Sequence, residues 1–387
     1  MQIKTDTEGM ALALEWAAKG MTITAPNPRI GCVIVRDGEV IGAGHTQPAG
    51  QAHAEIQALR DAAARGNDVR GATAYVTLEP CSHYGRTPPC STALVEAGLG
   101  RVVAAMGDPN PLVAGRGMAQ LEAAGMAVAM GELAEQAYEL NIGFFKRMRQ
   151  GLPWVRLKTA ASLDGFTALE NGESQWITGP EARADGHAWR ARACVILTGI
   201  GTVKADDPQL TVRGIGTDGA NTRQPRRVIV DSRLEIDLGA RILQGEPCWI
   251  VAAADEGDKA QQLRALGHDV ILLPGSNSNS NSNSSSGKVD LPALMRELGR
   301  REINEVHVEA GSKLNASLVR EGCVDELLVY LAPSLIGAGQ GMFALPPLAR
   351  LADKHALRFH GVSQVGADLR ILARFESSKQ ASTQTSN

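Results

Sequence analysis

Three side chains far apart in this chain share one chemistry: His53, Cys81 and Cys90. An imidazole and two thiols are a ligand set for zinc. The ion takes nitrogen and sulfur donors, and a catalytic site uses three protein ligands and leaves the fourth position to water. A carboxylate, Glu55, stands two residues after the histidine, where it can move protons beside such a metal without binding it. A fold that closes this site must bring a helix start and a loop more than twenty residues downstream to one point. The plain alternative is a pair of buried, inert cysteines, since cysteine is among the most buried residue types.

The local pattern favours the site. Ile30 to Arg36 is a β-branched apolar run, Asp37-Gly38 turns, and Val40-Ile41-Gly42 resumes it, which predicts a β-hairpin. His53 to Ala64 predicts a helix with Ile56, Leu59 and Ala63 on one face, so His53 and Glu55 fall in its first turn. Ala72 to Leu78 alternates like a strand, and Cys81 follows its end. Pro88-Pro89 lead into a second helix with Cys90 at its start. Helix N-termini stabilise thiolates and bound anions. His-x-Glu followed by Pro-Cys and a second cysteine is the pattern of zinc-dependent base deaminases. That pattern ordinarily runs Cys-x-x-Cys, whereas Ser82 to Pro89 lie between the cysteines here. The insert carries His83, a possible fourth ligand that would make the site structural rather than catalytic.

With 387 residues and 44% apolar composition, the chain has material for two or three domains. Strands and helices continue to alternate: strand 101–105, helix 115–124, strand 126–129 and helix 133–147. A first α/β layered domain is therefore expected over residues 1–149. A second, 150–376, opens at Trp154. It carries strands near 194–197, 227–230, 249–252, 270–273, 305–309, 326–331 and 369–375. The Ser/Asn tract 276–287 cannot bury apolar surface and is expected to be a flexible insert, and 377–387 a disordered tail. Net charge −3 and 4% aromatics argue against nucleic acid as a partner and disfavour an editing deaminase. No apolar run reaches membrane-spanning length, no targeting segment is evident, and six scattered cysteines suit a reducing cytoplasm.

The second half lacks the Gly-x-Gly-x-x-Gly fingerprint of a Rossmann nucleotide site. Val306 to Val319 reads as a strand, a glycine turn and a helix, which can cradle a phosphate or simply connect two elements. Arg190 and Arg213 could clamp a phosphate by charge-assisted bonds or sit as solvated surface charges.

Longer motifs resolve these alternatives. P-N-P-R-I-G-C-V-I-V (26–35), H-A-E (53–55), T-L-E-P-C-S-H-Y-G-R-T-P-P-C (77–90) and D-P-N-P-L-V-A-G-R-G (108–117) occupy the first half. A-S-L-D-G (161–165), G-E-S-Q-W-I-T (172–178), A-D-D-P-Q-L-T-V-R (205–213) and V-E-A-G (308–311) occupy the second. In this order they resemble the bifunctional deaminase/reductase family of riboflavin biosynthesis, over about residues 10–375, and the long cysteine spacing is itself a mark of that family. The resemblance implies a cytidine-deaminase-like three-layer domain followed by a dihydrofolate-reductase-like domain. It implies zinc-dependent hydrolytic deamination of 2,5-diamino-6-ribosylamino-4(3H)-pyrimidinone 5′-phosphate. NADPH-dependent reduction of the ribosyl chain of 5-amino-6-(5-phosphoribosylamino)uracil to ribityl would follow. It also implies a homo-oligomer. By position, His53, Cys81 and Cys90 bind zinc, Glu55 shuttles the proton, and Asn27 and Arg86 contact the first substrate. The family often places a histidine seven residues before the zinc histidine. That position is Thr46 here, with His45 adjacent as the substitute. Ser174, Arg190, Leu210, Arg213 and Glu309 match reductase substrate contacts. Ala160, Trp176, Thr202, Asp206, Ser232 and the run Gly311, Ser312, Lys313, Leu314, Asn315, Ala316, Ser317 match NADPH contacts. Lys158 and Asp164 lie in matching motifs without an assigned role.

Overall fold

The computed structural model describes residues 2–84, 88–110, 114–215, 223–255, 257–276 and 285–376. The chain divides into two compact units at Leu152/Pro153, three residues past the expected boundary. Arg86, the core of the Ser/Asn tract and the tail from 377 lie outside the described residues. Among the described residues, no helix is long and apolar enough to cross a membrane.

The first unit runs α1 (Asp6–Lys19), β1 (Gly31–Arg36), β2 (Glu39–His45), α2 (Ala54–Ala64), β3 (Thr73–Val76), α3 (Cys90–Glu96) and β4 (Arg101–Ala104). It ends with α4 (Arg116–Ala123), β5 (Ala127–Met130), α5 (Ala134–Leu140) and α6 (Ile142–Gln150). The sheet order is β2-β1-β3-β4-β5, antiparallel around β1 and parallel from β3 to β5. Alternation along β1 sends Cys32 and Ile34 to a cluster with residues of α2, α3, α4 and α6. Val33 and Val35 go to a second cluster with residues of α1 and α5. Two apolar faces on one sheet make three layers, as expected. α2 lies unusually close to the hairpin, because a Cβ on Gly42 would come 2.4 Å from the Ala58 carbonyl oxygen. At the start of α2, a Cβ on Gly44 would lie 2.8 Å from the Ala54 carbonyl oxygen, which sets His53 and Glu55 against the sheet.

One expected helix is two. The span 133–147 breaks at Asn141, whose side chain accepts the Arg29 backbone N–H at 2.7 Å and donates to the Arg29 carbonyl at 3.0 Å. An asparagine engaged in outside backbone bonds competes with helix continuation.

The second unit opens with β6 (Trp154–Ser162), β7 (Phe166–Leu169), α7 (Pro180–Arg192), β8 (Val195–Gly199), α8 (Ile200–Asp206), β9 (Arg226–Val230) and β10 (Trp249–Ala252). α9 (Lys259–Ala265), β11 (Asp269–Leu272), β12 (Pro274–Ser276), β13 (Ser285–Val289), α10 (Leu291–Arg300) and β14 (Glu305–Val308) follow. It closes with α11 (Ser312–Arg320), β15 (Glu326–Ala332), β16 (Gly339–Gly341), β17 (Leu357–Val365) and β18 (Asp368–Phe375). Nine strands form one sheet in the order β11-β10-β9-β8-β14-β6-β15-β18-β17. From β11 to β15 the neighbours are parallel, and the last two strands turn antiparallel. The pattern expected from the sequence lacks β17, whose residues are mostly exposed and carry no inward stripe to read.

The Ser/Asn tract departs from the expected insert at both ends, because Ser276 and Ser285–Gly287 belong to strands β12 and β13. Backbone pairing needs no apolar side chain. Since Ser276 and Ser285 are register partners, Asn-Gly in place of 277–284 closes a two-residue hairpin. We expect that replacement to change the unfolding free energy by no more than about 1 kcal/mol, measured by urea titration.

Candidate functional sites: a zinc cluster and a strand-end crevice

His53 is the N-cap of α2, one position before the first turn, and Glu55 lies within that turn. Cys90 opens α3, and Cys81 sits in the loop after β3. Their ligand atoms all lie within 4.8 Å of one another. Tetrahedral zinc, with bonds of about 2.3 Å to sulfur and about 2.0–2.1 Å to nitrogen, separates a nitrogen from a sulfur by about 3.6 Å. His53 Nδ1 stands 3.7 Å from Cys81 Sγ and 3.4 Å from Cys90 Sγ, so the donor set fits that ion. His83 is not in the cluster.

The electrostatics agree. Hydrogen bonding from Cys90, helped by His53, holds the Cys81 thiol down to about 4. Its bond to Cys81 and its burial push the Cys90 thiol far up. Two sulfurs this close cannot both carry charge without a cation between them. Glu55 is 2% exposed. Burial, reinforced by Cys81, raises its carboxyl to about 7, and its Oε2 has no hydrogen-bond partner among the described residues. A buried acid near neutrality with a free oxygen beside a metal cluster is equipped to accept and return a proton.

Asn27 lies in the turn before β1, its N–H donating to the Thr24 carbonyl. His45 ends β2, with Gln47 3.4 Å from its Nε2, and burial lowers its pKa. Asp108 belongs to a quoted motif but has no role in the sequence reading. Burial, with Glu79 and Cys81 adding to it, pushes its carboxyl up to about 6.

In the second unit, Ala160 lies on β6, while Glu309, Gly311 and Ser232 follow the ends of β14 and β9. Thr202 falls in the first turn of α8 and Asp206 ends that helix; Ser312 to Ser317 open α11. Because β9, β8, β14 and β6 are parallel neighbours, Ser232, the start of α8, Glu309 and the start of α11 share the carboxyl edge of the sheet, where open α/β sheets bind ligands. The two helix starts approach each other: a Cβ on Gly311 would lie 3.8 Å from Thr202 Oγ1, and one on Gly199 3.0 Å from Leu314 Cδ2. Thr198 Oγ1 and Asn315 Oδ1 are buried there without a hydrogen-bond partner among the described residues. Backbone N–H groups at two helix starts and the Thr198 hydroxyl can donate to a phosphate, and Asn315 Oδ1 can accept from a ribose hydroxyl, a set that suits a cofactor such as NADPH. Ser232 instead accepts the Val289 N–H at 3.3 Å. Trp176 is 71% exposed, with the Arg183 guanidinium 4.5 Å from its ring centroid.

Arg190 and Glu309 form a two-pronged ion pair, with Nη2 and Oε2 2.8 Å apart and Nε bonded to Oε1. Burial pushes Glu309 up, but the guanidinium outweighs it and holds the carboxyl well below the ordinary range. His307 Nε2 adds a contact at 3.4 Å. The Leu210 side chain packs in the apolar core. Arg213 is exposed, its Nη1 3.5 Å from Gln209 Oε1. Ser174 is half-buried in the loop before α7. Asp164 acts as a fastener: it accepts the Ile336 and Gly337 N–H groups at 3.1 and 2.8 Å and ties the end of β6 to the loop between β15 and β16. Glu309→Ala would strand a largely buried guanidinium. We expect a loss of about 3 kcal/mol in the unfolding free energy of this unit, read by denaturant titration.

Fold and sites together define a two-site enzyme: a hydrolytic zinc deaminase joined to a reductase on one chain. The description "Cytidine and deoxycytidylate deaminase zinc-binding region" matches residues 3–106, and "RibD C-terminal domain" matches 153–371. The chain is 47% identical to the riboflavin biosynthesis protein RibD of Escherichia coli K12, over 93% of this chain and 96% of that one. It superposes on Acinetobacter baumannii RibD with a TM-score of 0.86 at 41% identity, covering 96% of this chain and 99% of that one. The deaminase/uracil reductase of Thermotoga maritima superposes with a TM-score of 0.82 at 30% identity and the same coverage. The chain belongs to the RibD family. It is a bifunctional deaminase and reductase of riboflavin biosynthesis that uses Zn2+ and NADPH.

Proposed function

We propose that the first unit deaminates 2,5-diamino-6-ribosylamino-4(3H)-pyrimidinone 5′-phosphate. The second then reduces the ribosyl chain of 5-amino-6-(5-phosphoribosylamino)uracil to ribityl. The observation that carries the first step is the convergence of His53, Cys81 and Cys90 beside Glu55, whose Oε2 is unpartnered among the described residues. His53 Nδ1 and the two sulfurs hold Zn2+. Bound there, the ion would supply a Lewis acid that activates water for attack. Glu55 Oε2 takes one proton from the attacking water and passes it to the ring nitrogen, then relays the second, from the new hydroxyl, to the amine, which leaves as ammonia as the C–N bond breaks. Asn27, Arg86 and His45 orient the base and its phosphorylated ribose.

In the second unit, Ala160, Trp176, Thr202, Asp206, Ser232 and residues 311–317 hold NADPH, which supplies the hydride. Glu309 and Arg190, locked together, present one fixed polar surface, and Ser174, the Leu210 backbone and Arg213 complete the substrate contacts. Exposed Arg213 is suited to the phosphate. Positioning, not a covalent residue, then lowers the barrier.

The deciding experiment incubates the protein with the diaminopyrimidine ribotide, with and without NADPH, and measures ammonia and product mass. Ammonia without NADPH, and a product two hydrogens heavier with it, are expected; NADPH oxidation with no ammonia would overturn the order. A cytoplasmic homo-oligomer is the matching assembly. Phe359 is 70% and Val362 58% exposed on the edge strand β17, an apolar strip suited to a second copy. Light scattering should give a multiple of the 40.9 kDa chain mass, and a monomer would remove that role from β17.

A further inference from the structure

Glu79 stands two residues before the zinc ligand Cys81 and is 2% exposed. Its carboxylate accepts four backbone N–H groups. Oε2 takes those of Asp108 at 3.1 Å and Gly115 at 2.9 Å; Oε1 takes those of Gly117 at 2.9 Å and Met118 at 3.3 Å. Its own N–H donates to the Met106 carbonyl at 2.9 Å. Among the described residues no lysine or arginine pairs with it; the positive ends of these N–H groups and of α4 balance its charge. α4 begins hard against the same segment, since a Cβ on Gly117 would lie 2.0 Å from the Pro80 carbonyl oxygen.

We propose that Glu79 is a positioning residue of the deaminase. It clamps Asp108, after β4, and Gly115 to Met118, at the start of α4, to the Pro80–Cys81 segment and so fixes one wall of the substrate site. β3 and β4 are parallel neighbours, so the loop after β3, which carries Cys81, and the loop after β4, which begins near Asp108, leave the sheet at the same edge. In such sheets that edge is where ligands sit. The metal ligands themselves are held by other bonds. Cys90 N–H donates to Cys81 Sγ at 3.3 Å, Ser91 N–H to the Cys81 carbonyl at 3.1 Å, and Ser91 Oγ to the same carbonyl at 3.0 Å. Loosening Glu79 therefore moves the wall and leaves the metal and Glu55 in place.

The inference rests on the deaminase reading above, and Glu79→Gln tests it. The amide turns an NH2 toward two N–H donors, so one pair of bonds becomes repulsive while the shape is kept. We expect KM for the diaminopyrimidine ribotide to rise roughly tenfold to a hundredfold. kcat should stay within about threefold, the pattern of a lost binding interaction. Zinc content and NADPH-dependent reduction of the deaminated substrate, the internal control on the same chain, should match wild type. An unchanged KM, or zinc and kcat falling together, would overturn the proposal. If Glu79→Gln does not accumulate as soluble protein, Gly117→Ala decides. It leaves Glu79 intact but pushes α4 off Pro80, and the same rise in KM is expected, whereas a wild-type KM overturns the clamp. A wild-type protein that releases no ammonia would sink the deaminase reading and the clamp with it; active wild type beside unaffected variants would sink the clamp alone.

Discussion

Glu55→Ala is expected to keep its zinc and to lose deamination by a factor of about 10²–10⁴, the range a positioned acid–base group supplies. The carboxyl is not among the metal-binding atoms, so the stoichiometry of bound zinc should not change. It is also buried, with Oε2 unpartnered among the described residues and its pKa raised to about 7 by burial, which makes it costly to the folded state. Removing it should leave the melting temperature unchanged or higher while activity collapses. That opposition between stability and turnover is what a functional buried acid predicts and a structural one does not. Metal analysis, a thermal melt and ammonia release on one preparation check all three. Zinc lost along with activity would make Glu55 a support of the metal site and not its proton shuttle.

The zinc half of the molecule was readable because its chemistry is local. His53 and Glu55 share one helix start, and the two prolines before Cys90 announce another. The hairpin β1–β2 followed from alternation and an Asp-Gly turn. What escaped depends on contacts distant in sequence. Arg190 and Glu309 are 119 residues apart, and nothing in either neighbourhood says that the two spend their charge on each other. Glu79 shows only as a letter inside T-L-E-P-C, because its four donors lie 29 to 39 residues downstream. The break at Asn141 depends on Arg29, and strand β17 lacks the inward stripe that betrays a strand. Periodicity reports which face is buried, so it is silent where no face is buried and where polar groups choose remote partners.

Cys90→Ser carries the other large effect, and it separates the two chemistries. Zinc in this site depends on soft thiolate donors, and a serine hydroxyl stays protonated and binds it poorly. The variant should therefore lose bound zinc and all measurable deamination. With only His53 and Cys81 left, the first unit also forfeits the stabilisation that a bound metal gives the folded state, so its melting temperature should fall. The second unit has its own apolar core, centred on residues such as Ile196, Ile229 and Ile250, and none of its site residues lies in the first. NADPH oxidation with the already deaminated substrate should consequently proceed at the wild-type rate. The comparison must use protein shown to be folded, since a general collapse would erase both reactions for a trivial reason. If the two activities fell together in folded protein, the sites would be energetically coupled, and the reading of two independent catalysts on one chain would have to be given up.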